Sequence, residues 1–145
     1  MEMLAIILLG TLTGNEFAVG AFFHPLLAQL TDDQHAAGRR GTAKLFGRVA
    51  PFWYASTILS LIVSIFLAHN QFQQWLFGLS AALAISAMLF TFVGPLPINN
   101  RIVRWDLNNL SVDWKQECKN WDKLHNIRTS ILFASLIALS AGVSL

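Results

Sequence analysis

The side chains in this sequence that can do acid–base chemistry lie in or beside long apolar segments. Glu16 and His24 fall on one stripe of the first segment, about 12 Å apart along an ideal helix axis and about 80° apart around it. His125 and Arg128 follow Trp121 at spacings of four and three, so all three share one helix face. Together these groups can remove a proton and stabilise the resulting anion.

A third polar group follows the break at residues 94–97, Gly-Pro-Leu-Pro. It contains Asn99, Asn100 and Arg101, with Trp105 one turn further on. The amides and the guanidinium favour hydrogen bonding to a ligand, and the indole offers a flat apolar surface. For the two asparagines taken alone, capping of backbone groups freed by the prolines is an equally good interpretation.

Long apolar helices must position these side chains. Hydrophobic residues make up 54% of the 145-residue chain and charged residues only 12%, against roughly 25% charged in soluble domains. A run of about 20 apolar residues crosses a bilayer as a helix. The sequence therefore predicts one all-α domain, a four-helix transmembrane bundle with an interfacial amphipathic helix before the last span. The predicted spans are residues 3–30, 49–68, 74–97 and 122–145.

The connections and small residues add local expectations. Residues 31–48 carry glycines and charges and are predicted to be a polar loop. Pro51 is then expected in the first turn of the second span, where its missing N–H costs nothing. Gly10 and Gly14 form a G-x-x-x-G pair, which predicts close packing of the first helix inside the bundle. No basic residue precedes the first segment, which favours a retained span over a cleaved signal peptide.

The distribution of basic residues predicts the topology and the partners. All ten Lys and Arg lie within residues 31–48 and 99–128, which makes those two segments cytoplasmic and places both termini outside the cytoplasm. The protein is therefore expected in a plasma or bacterial inner membrane, with the lipid bilayer as its first partner. The basic residues flank membrane spans, so the net charge of +2 does not indicate a nucleic-acid partner. A homo-oligomer remains open.

The polar groups are expected to meet at one depth. His24 ends the first span, Asn99 to Arg101 follow the third, and His125 with Arg128 begin the fourth. Polar groups at that depth are far less costly inside the bundle than facing lipid. The sequence predicts a polar cavity open to the cytoplasm, with Glu16 at its floor.

Four motifs together resemble a known family. They are Gly14-Asn15-Glu16-Phe17, Phe23-His24-Pro25-Leu26, Pro97-Ile98-Asn99-Asn100-Arg101-Ile102 with Trp105, and Trp121-x-x-x-His125-x-x-Arg128. They span nearly the whole chain and are similar to the anthrone oxygenase-like family of small four-span membrane proteins. Some members convert an anthrone to an anthraquinone with dioxygen, and many others have no known activity.

The resemblance implies an oxygenase-like enzyme acting on a flat, apolar, anthrone- or polyketide-like molecule. The implied catalytic residues are His125, His24, Glu16 and Arg128, with His125 as the favoured base. The implied substrate-binding residues are Asn99, Asn100, Arg101, Trp105 and Trp121. The cofactor is left open. Glu16, His24 and His125 offer the ligands of a non-haem metal site, but the axial gap between Glu16 and His24 favours metal-free chemistry.

Two other classes of function stay open at this point. One is a non-enzymatic bundle that binds or carries a small molecule or an ion, with Glu16 as the charged site. The other is a structural subunit of a larger membrane complex.

The predicted topology can be tested by cysteine labelling in intact cells or spheroplasts. Single cysteines placed near Lys44 should react with a membrane-impermeant maleimide only after the membrane is permeabilised, because basic segments stay on the cytoplasmic side. Labelling near Lys44 in sealed cells would overturn the orientation.

Overall fold

The computed structural model describes all 145 residues, and they form five helices joined by short connections. α1 spans Glu2–Leu27 and includes a π-helical turn at Val19–Phe23. The others are α2 (Asp32–Phe66), α3 (Gln71–Val93), α4 (Pro95–Val103) and α5 (Trp114–Val143). All except α4 are long and apolar enough to cross a membrane. This confirms the predicted all-α bundle of four spans, and the protein is an integral membrane protein.

The half of the bundle away from α4 is held by interdigitating apolar and small residues. α3 and α5 form the most extensive helix pair. Their contact includes Phe77, Leu132 and Leu139, which are fully buried. The hydroxyls of Ser80 and Ser135 lie 3.0 Å apart, and the Ser135 hydroxyl also donates to the Ser80 carbonyl at 2.8 Å. Small hydroxyl side chains of this kind let two membrane helices approach closely while satisfying their own polar groups.

The predicted loop at residues 31–48 is instead the first half of α2. The helix begins after Thr31, and Asp32 and Asp33 occupy its first turn, where the helix dipole favours acids. Gly38 lets this part of α2 pack against α1, because a Cβ there would lie 2.6 Å from the Cδ2 atom of Leu27. Tertiary packing thus outweighs the low helix propensity of glycine. Pro51 consequently lies inside α2 and not in a first turn.

The break after the third span is real, and the chain resumes as the predicted amphipathic helix. Gly94 ends α3, and Pro95 begins α4, where its missing N–H is harmless. Ile98 and Ile102 bury one face of α4 in a cluster with α2 and the start of α5. This cluster packs at the end of the bundle where α4 lies.

Gly10 and Gly14 do not pack inside the bundle, so that expectation was wrong. A Cβ on either residue would meet nothing within 4 Å. Leu9, Leu12 and Glu16 instead turn inward on α1. Gly14 lies about 200° around the helix from Glu16 and so faces outward.

A buried glutamine joins three helices at the end of the bundle opposite α4. The Gln73 amide donates to the Gly142 carbonyl at 3.1 Å and to Glu2 at 3.2 Å, and its oxygen accepts the His69 backbone N–H at 2.7 Å. Gln74, its neighbour, is exposed.

We expect Gln73→Leu to lower the free energy of unfolding by about 1–3 kcal/mol, because the His69 N–H loses its partner and the Gly142 carbonyl loses its side-chain donor. Gln74→Leu, the matched control, should leave stability within about 0.5 kcal/mol of wild type. Reversible denaturation in detergent micelles, followed by circular dichroism, measures both. Equal stability of the two variants would show that Gln73 does not join the helices.

Candidate functional site

The five helices enclose a cavity of about 210 Å³ toward the α4 end of the bundle, called here the inner cavity. Much of its wall is apolar and includes Phe46, Ala50, Met88, Phe92 and Ile102. Its charged and titratable lining consists of Glu16, His24, Arg39, Tyr54, His125 and Arg128. An apolar chamber with a few convergent polar groups is the usual form of a small-molecule site.

The first polar cluster joins α1 to α5 through a buried ion pair. Arg128 donates to the Glu16 carboxylate and, at 3.1 Å, to Nδ1 of His125. Nε2 of His125 lies 2.8 Å from the Glu16 backbone carbonyl, which can only accept, so this nitrogen carries the proton. Both ring nitrogens of His125 are therefore engaged within the protein. Removing Glu16 or Arg128 alone would leave an uncompensated buried charge, at a cost of about 3–5 kcal/mol.

The second polar cluster joins α1, α2 and α5. Arg39 donates both terminal nitrogens to the Asp122 carboxylate, each at 2.7 Å. Nδ1 of His24 lies 3.0 Å from Asp122 Oδ1 and 2.8 Å from Arg39 Nη1. The other ring nitrogen of His24 has no protein partner. Arg39 and His24 are each only 4% exposed, whereas the Asp122 side chain is 37% exposed and links the cluster to solvent.

The π-helical turn of α1 lies between Glu16 and His24 and brings both to the cavity. Gly20, inside this turn, lies against the imidazole of His125: a Cβ added there would be 3.0 Å from His125 Cδ2 and 3.2 Å from Nε2. The missing side chain lets His125 reach the backbone of α1. Single π-turns inside α-helices are frequent at functional sites.

Aromatic and unpartnered polar groups complete the site. The Trp121 ring stacks on His125 at a centroid distance of 4.6 Å and meets the edge of His24 at 4.8 Å. Four buried side-chain donors have no hydrogen-bond partner in the protein: Thr13 Oγ1, Tyr54 Oη, Trp121 Nε1 and Arg128 Nε. The last three belong to residues that line the inner cavity. Unpaired buried donors are costly, and a ligand with oxygen acceptors would satisfy them.

The structure brings together most of the residues that sequence reasoning selected. Those lining the inner cavity are Glu16, His24, Asn99, Trp121, His125 and Arg128. The other three lie elsewhere. Arg101 is exposed and forms an ion pair with Glu117, and Trp105 donates to the same carboxylate at 3.0 Å. Asn100 lines a neighbouring surface pocket. None of these three residues lies on the face of α4 that lines the cavity. Asn100 and Arg101 lie on other faces of α4, and Trp105 follows its C-terminal end.

Sequence reasoning missed Arg39, Asp122 and Tyr54. The sequence predicts a loop around Arg39 and uses this residue only as one of the positive charges that indicate topology. Nothing in the flanking sequence marks Arg39 as buried. Tyr54 lies in a long apolar run. Asp122 did carry a usable signal, since it is an acid three residues before His125 at the start of a membrane span.

The donor set does not fit a metal ion. No three side chains among His, Cys, Asp and Glu come together in an arrangement that could hold one. Of the three ligands considered from the sequence, the Glu16 carboxylate is paired with Arg128, and both ring nitrogens of His125 are engaged. Only His24 keeps a ring nitrogen without a partner. The guanidinium groups of Arg39 and Arg128 thus lie beside the carboxylates of Asp122 and Glu16, where a metal cation would otherwise bind.

The fold and the site define a class: a small polytopic membrane protein whose helices enclose an apolar cavity carrying buried, ionised side chains. Comparison with protein families then places the chain. The sequence model of the anthrone oxygenase family matches residues 18–138, and the protein belongs to that family. The match includes His24, Asn99, His125 and Arg128. No curated protein and no solved structure matches the chain in the corresponding comparisons.

We expect Gly20→Ala to displace the His125 ring by a few tenths of an ångström, since the added methyl group would lie 3.0 Å from it. The His125 imidazole resonances should shift in NMR spectra of the ¹⁵N-histidine-labelled protein. Gly14→Ala, on the outer face of α1, is the control and should leave them unchanged. Unperturbed spectra for Gly20→Ala would show that the ring does not depend on this close approach.

Proposed function

We propose that the protein is a membrane-embedded oxygenase that deprotonates a flat, apolar, anthrone-type molecule in the inner cavity and hands the resulting anion to dioxygen. The observation that carries this proposal is the state of His24. One of its ring nitrogens is held by the Asp122–Arg39 pair, and the other is free in a largely apolar cavity. Membership of the anthrone oxygenase family supports the reaction class.

His24 is the base in this proposal. Nδ1 faces both Asp122 Oδ1, which accepts, and Arg39 Nη1, which donates. In the tautomer that this proposal uses, Nδ1 donates its proton to Asp122 and the lone pair of Nε2 is left for the substrate, because the hydrogen bond at one ring nitrogen sets the tautomer at the other. Arg39 fixes the Asp122 carboxylate by two hydrogen bonds and so acts as a positioning residue. The partial exposure of Asp122 gives the proton a way to cytoplasmic water.

This assignment differs from the sequence-based one, which favoured His125 as the base. His125 is 1% exposed, and its two nitrogens already bind the Glu16 carbonyl and Arg128. We therefore assign it a positioning role. It holds Arg128 and Glu16 in place and offers its stacked partner, Trp121, as a flat surface for the substrate.

Arg128 and Tyr54 are proposed to stabilise the anion. Deprotonation of an anthrone moves negative charge onto its carbonyl oxygen. The Nε–H of Arg128 and the hydroxyl of Tyr54 are donors without a protein partner, and Arg128 also carries a positive charge. Hydrogen-bond donors that are already positioned where the negative charge develops lower the barrier to proton removal.

The overall conversion balances as anthrone plus dioxygen giving anthraquinone plus water. His24 takes one proton from the methylene carbon, and the electron pair left on that carbon reduces dioxygen and forms a C–O bond. The protonated His24 returns its proton to the outer peroxide oxygen. Loss of the second proton from the same carbon then forms the quinone C=O bond and breaks the O–O bond, and the outer oxygen leaves as water.

We expect His24→Ala to reduce turnover of an anthrone by about 10²-fold or more, the usual contribution of a general base. The same variant should lose catalysed exchange of the methylene protons with D₂O under argon, because exchange needs only the base. His69→Ala is the matched control, since His69 is an exposed histidine that does not line the cavity. Oxygen uptake and NMR measure the two rates after subtraction of the uncatalysed reaction.

Retention of both rates in His24→Ala would contradict the proposal. Loss of exchange in His125→Ala but not in His24→Ala would return the base to His125. A wild-type protein that binds an anthrone without catalysing exchange or oxidation would instead support a carrier.

A further inference from the structure

A second pocket opens beside the inner cavity on the surface formed by α2 and α4. This outer pocket has a volume of about 290 Å³ and is lined by eight residues: Ala43, Lys44, Gly47, Arg48, Leu96, Asn99, Asn100 and Val103. Four of them, Ala43, Gly47, Leu96 and Asn99, also line the inner cavity. The two spaces are therefore neighbours that share a wall.

The outer pocket presents positive charge without a counter-charge. Lys44 and Arg48 are exposed and lie one helical turn apart on α2, so their side chains project from the same face. Neither forms an ion pair with the protein, in contrast to Arg39, Arg101, Lys115 and Arg128. The Asn100 amide on α4 is also exposed and has no hydrogen bond. Two cations and an amide donor thus converge without an acceptor.

The wall between the two pockets includes the Asn99 side chain and the backbone of Gly47. Asn99 donates to the Ala43 carbonyl at 3.3 Å, which fixes α4 against α2 at this point. A Cβ on Gly47 would lie 3.8 Å from that same amide nitrogen. Gly47 adds no side chain to this wall, so a ligand that extends from the inner cavity to the outer pocket would have to move the Asn99 amide but no side chain at position 47.

We propose that the outer pocket binds an anionic group carried by an otherwise apolar ligand, whose flat part occupies the inner cavity. This inference rests on the proposed function, because it concerns the second end of the same ligand. Lys44 and Arg48 are the specificity residues, and Asn100 donates a further hydrogen bond. A carboxylate on the aromatic ligand and the phosphate of an anionic lipid share this chemistry.

Binding of two non-reacting probes tests the proposal: anthraquinone-2-carboxylate and its uncharged 2-hydroxymethyl analogue. Equilibrium dialysis is run against the protein in phosphatidylcholine nanodiscs, with empty nanodiscs subtracted. We expect wild type to bind the carboxylate at least about tenfold more tightly than the alcohol. The double variant Lys44→Gln/Arg48→Gln should lose this preference and keep its affinity for the alcohol. Circular dichroism checks that each variant is folded.

The control double variant is Lys119→Gln/Lys123→Gln, which removes the same charge from α5. Both lysines are exposed, form no ion pair and line neither pocket. This variant should keep the preference for the carboxylate. If both double variants lose the preference for the carboxylate equally, the proposal is overturned. The preference would then come from the positive potential of the whole surface and not from Lys44 and Arg48.

Nanodiscs that also contain phosphatidylglycerol distinguish the two sources of the anion. If the preference persists in them, the anionic group belongs to the aromatic ligand. If phosphatidylglycerol weakens carboxylate binding in wild type but not in Lys44→Gln/Arg48→Gln, a lipid phosphate occupies the same pocket.

Equal affinity of wild type for the carboxylate and the alcohol would overturn this inference and leave the proposed function standing. Binding of neither probe would overturn both.

Discussion

The ion pair between Glu16 and Arg128 is the interaction on which the polar half of this bundle depends. A carboxylate inside a membrane helix is tolerated only when it is paired or hydrated. Here α5 supplies the guanidinium, and His125 and the Glu16 backbone complete the set of hydrogen bonds. α1 and α5 must therefore meet in one register, and that register also fixes the position of Trp121 in the cavity wall.

The second cluster extends this constraint to α2. Arg39 reaches Asp122 on α5 and His24 on α1, so three helices are joined by charge where the apolar core ends. The two clusters meet at the imidazoles, since the His24 and His125 rings lie 6.2 Å apart. In the first cluster both ring nitrogens of His125 are engaged, whereas the second leaves one ring nitrogen of His24 free and the Asp122 carboxylate partly exposed to solvent. That asymmetry supports a fixed imidazole beside one able to exchange protons.

Much of this arrangement could be predicted from the sequence, and the rest depended on packing. The length of the apolar segments predicts the four membrane helices. The positions of Glu16, His24, His125 and Arg128 along them predict most of the inner cavity. The sequence predicts a loop at residues 31–48 because glycine and charge are local signals, whereas the contact of Gly38 with Leu27 that stabilises the helix is tertiary. Because Arg39 lies in this segment, its burial was not predicted either. Arg101 and Trp105 share a motif with Asn99, but only Asn99 lies on the face of α4 that turns inward.

The length of α2 indicates where the inner cavity lies relative to the bilayer. Its 35 residues extend about 52 Å, some 20 Å more than the hydrocarbon layer needs. The excess stands on the side that carries Arg39 and Lys44, so the cavity lies where hydrocarbon gives way to headgroups. Under the proposed function, a reactant dissolved in the bilayer and a proton bound for bulk water would reach the His24 imidazole from opposite sides. The protein would then work at the boundary between hydrocarbon and water, and neither the reactant nor the proton would have to cross the whole membrane.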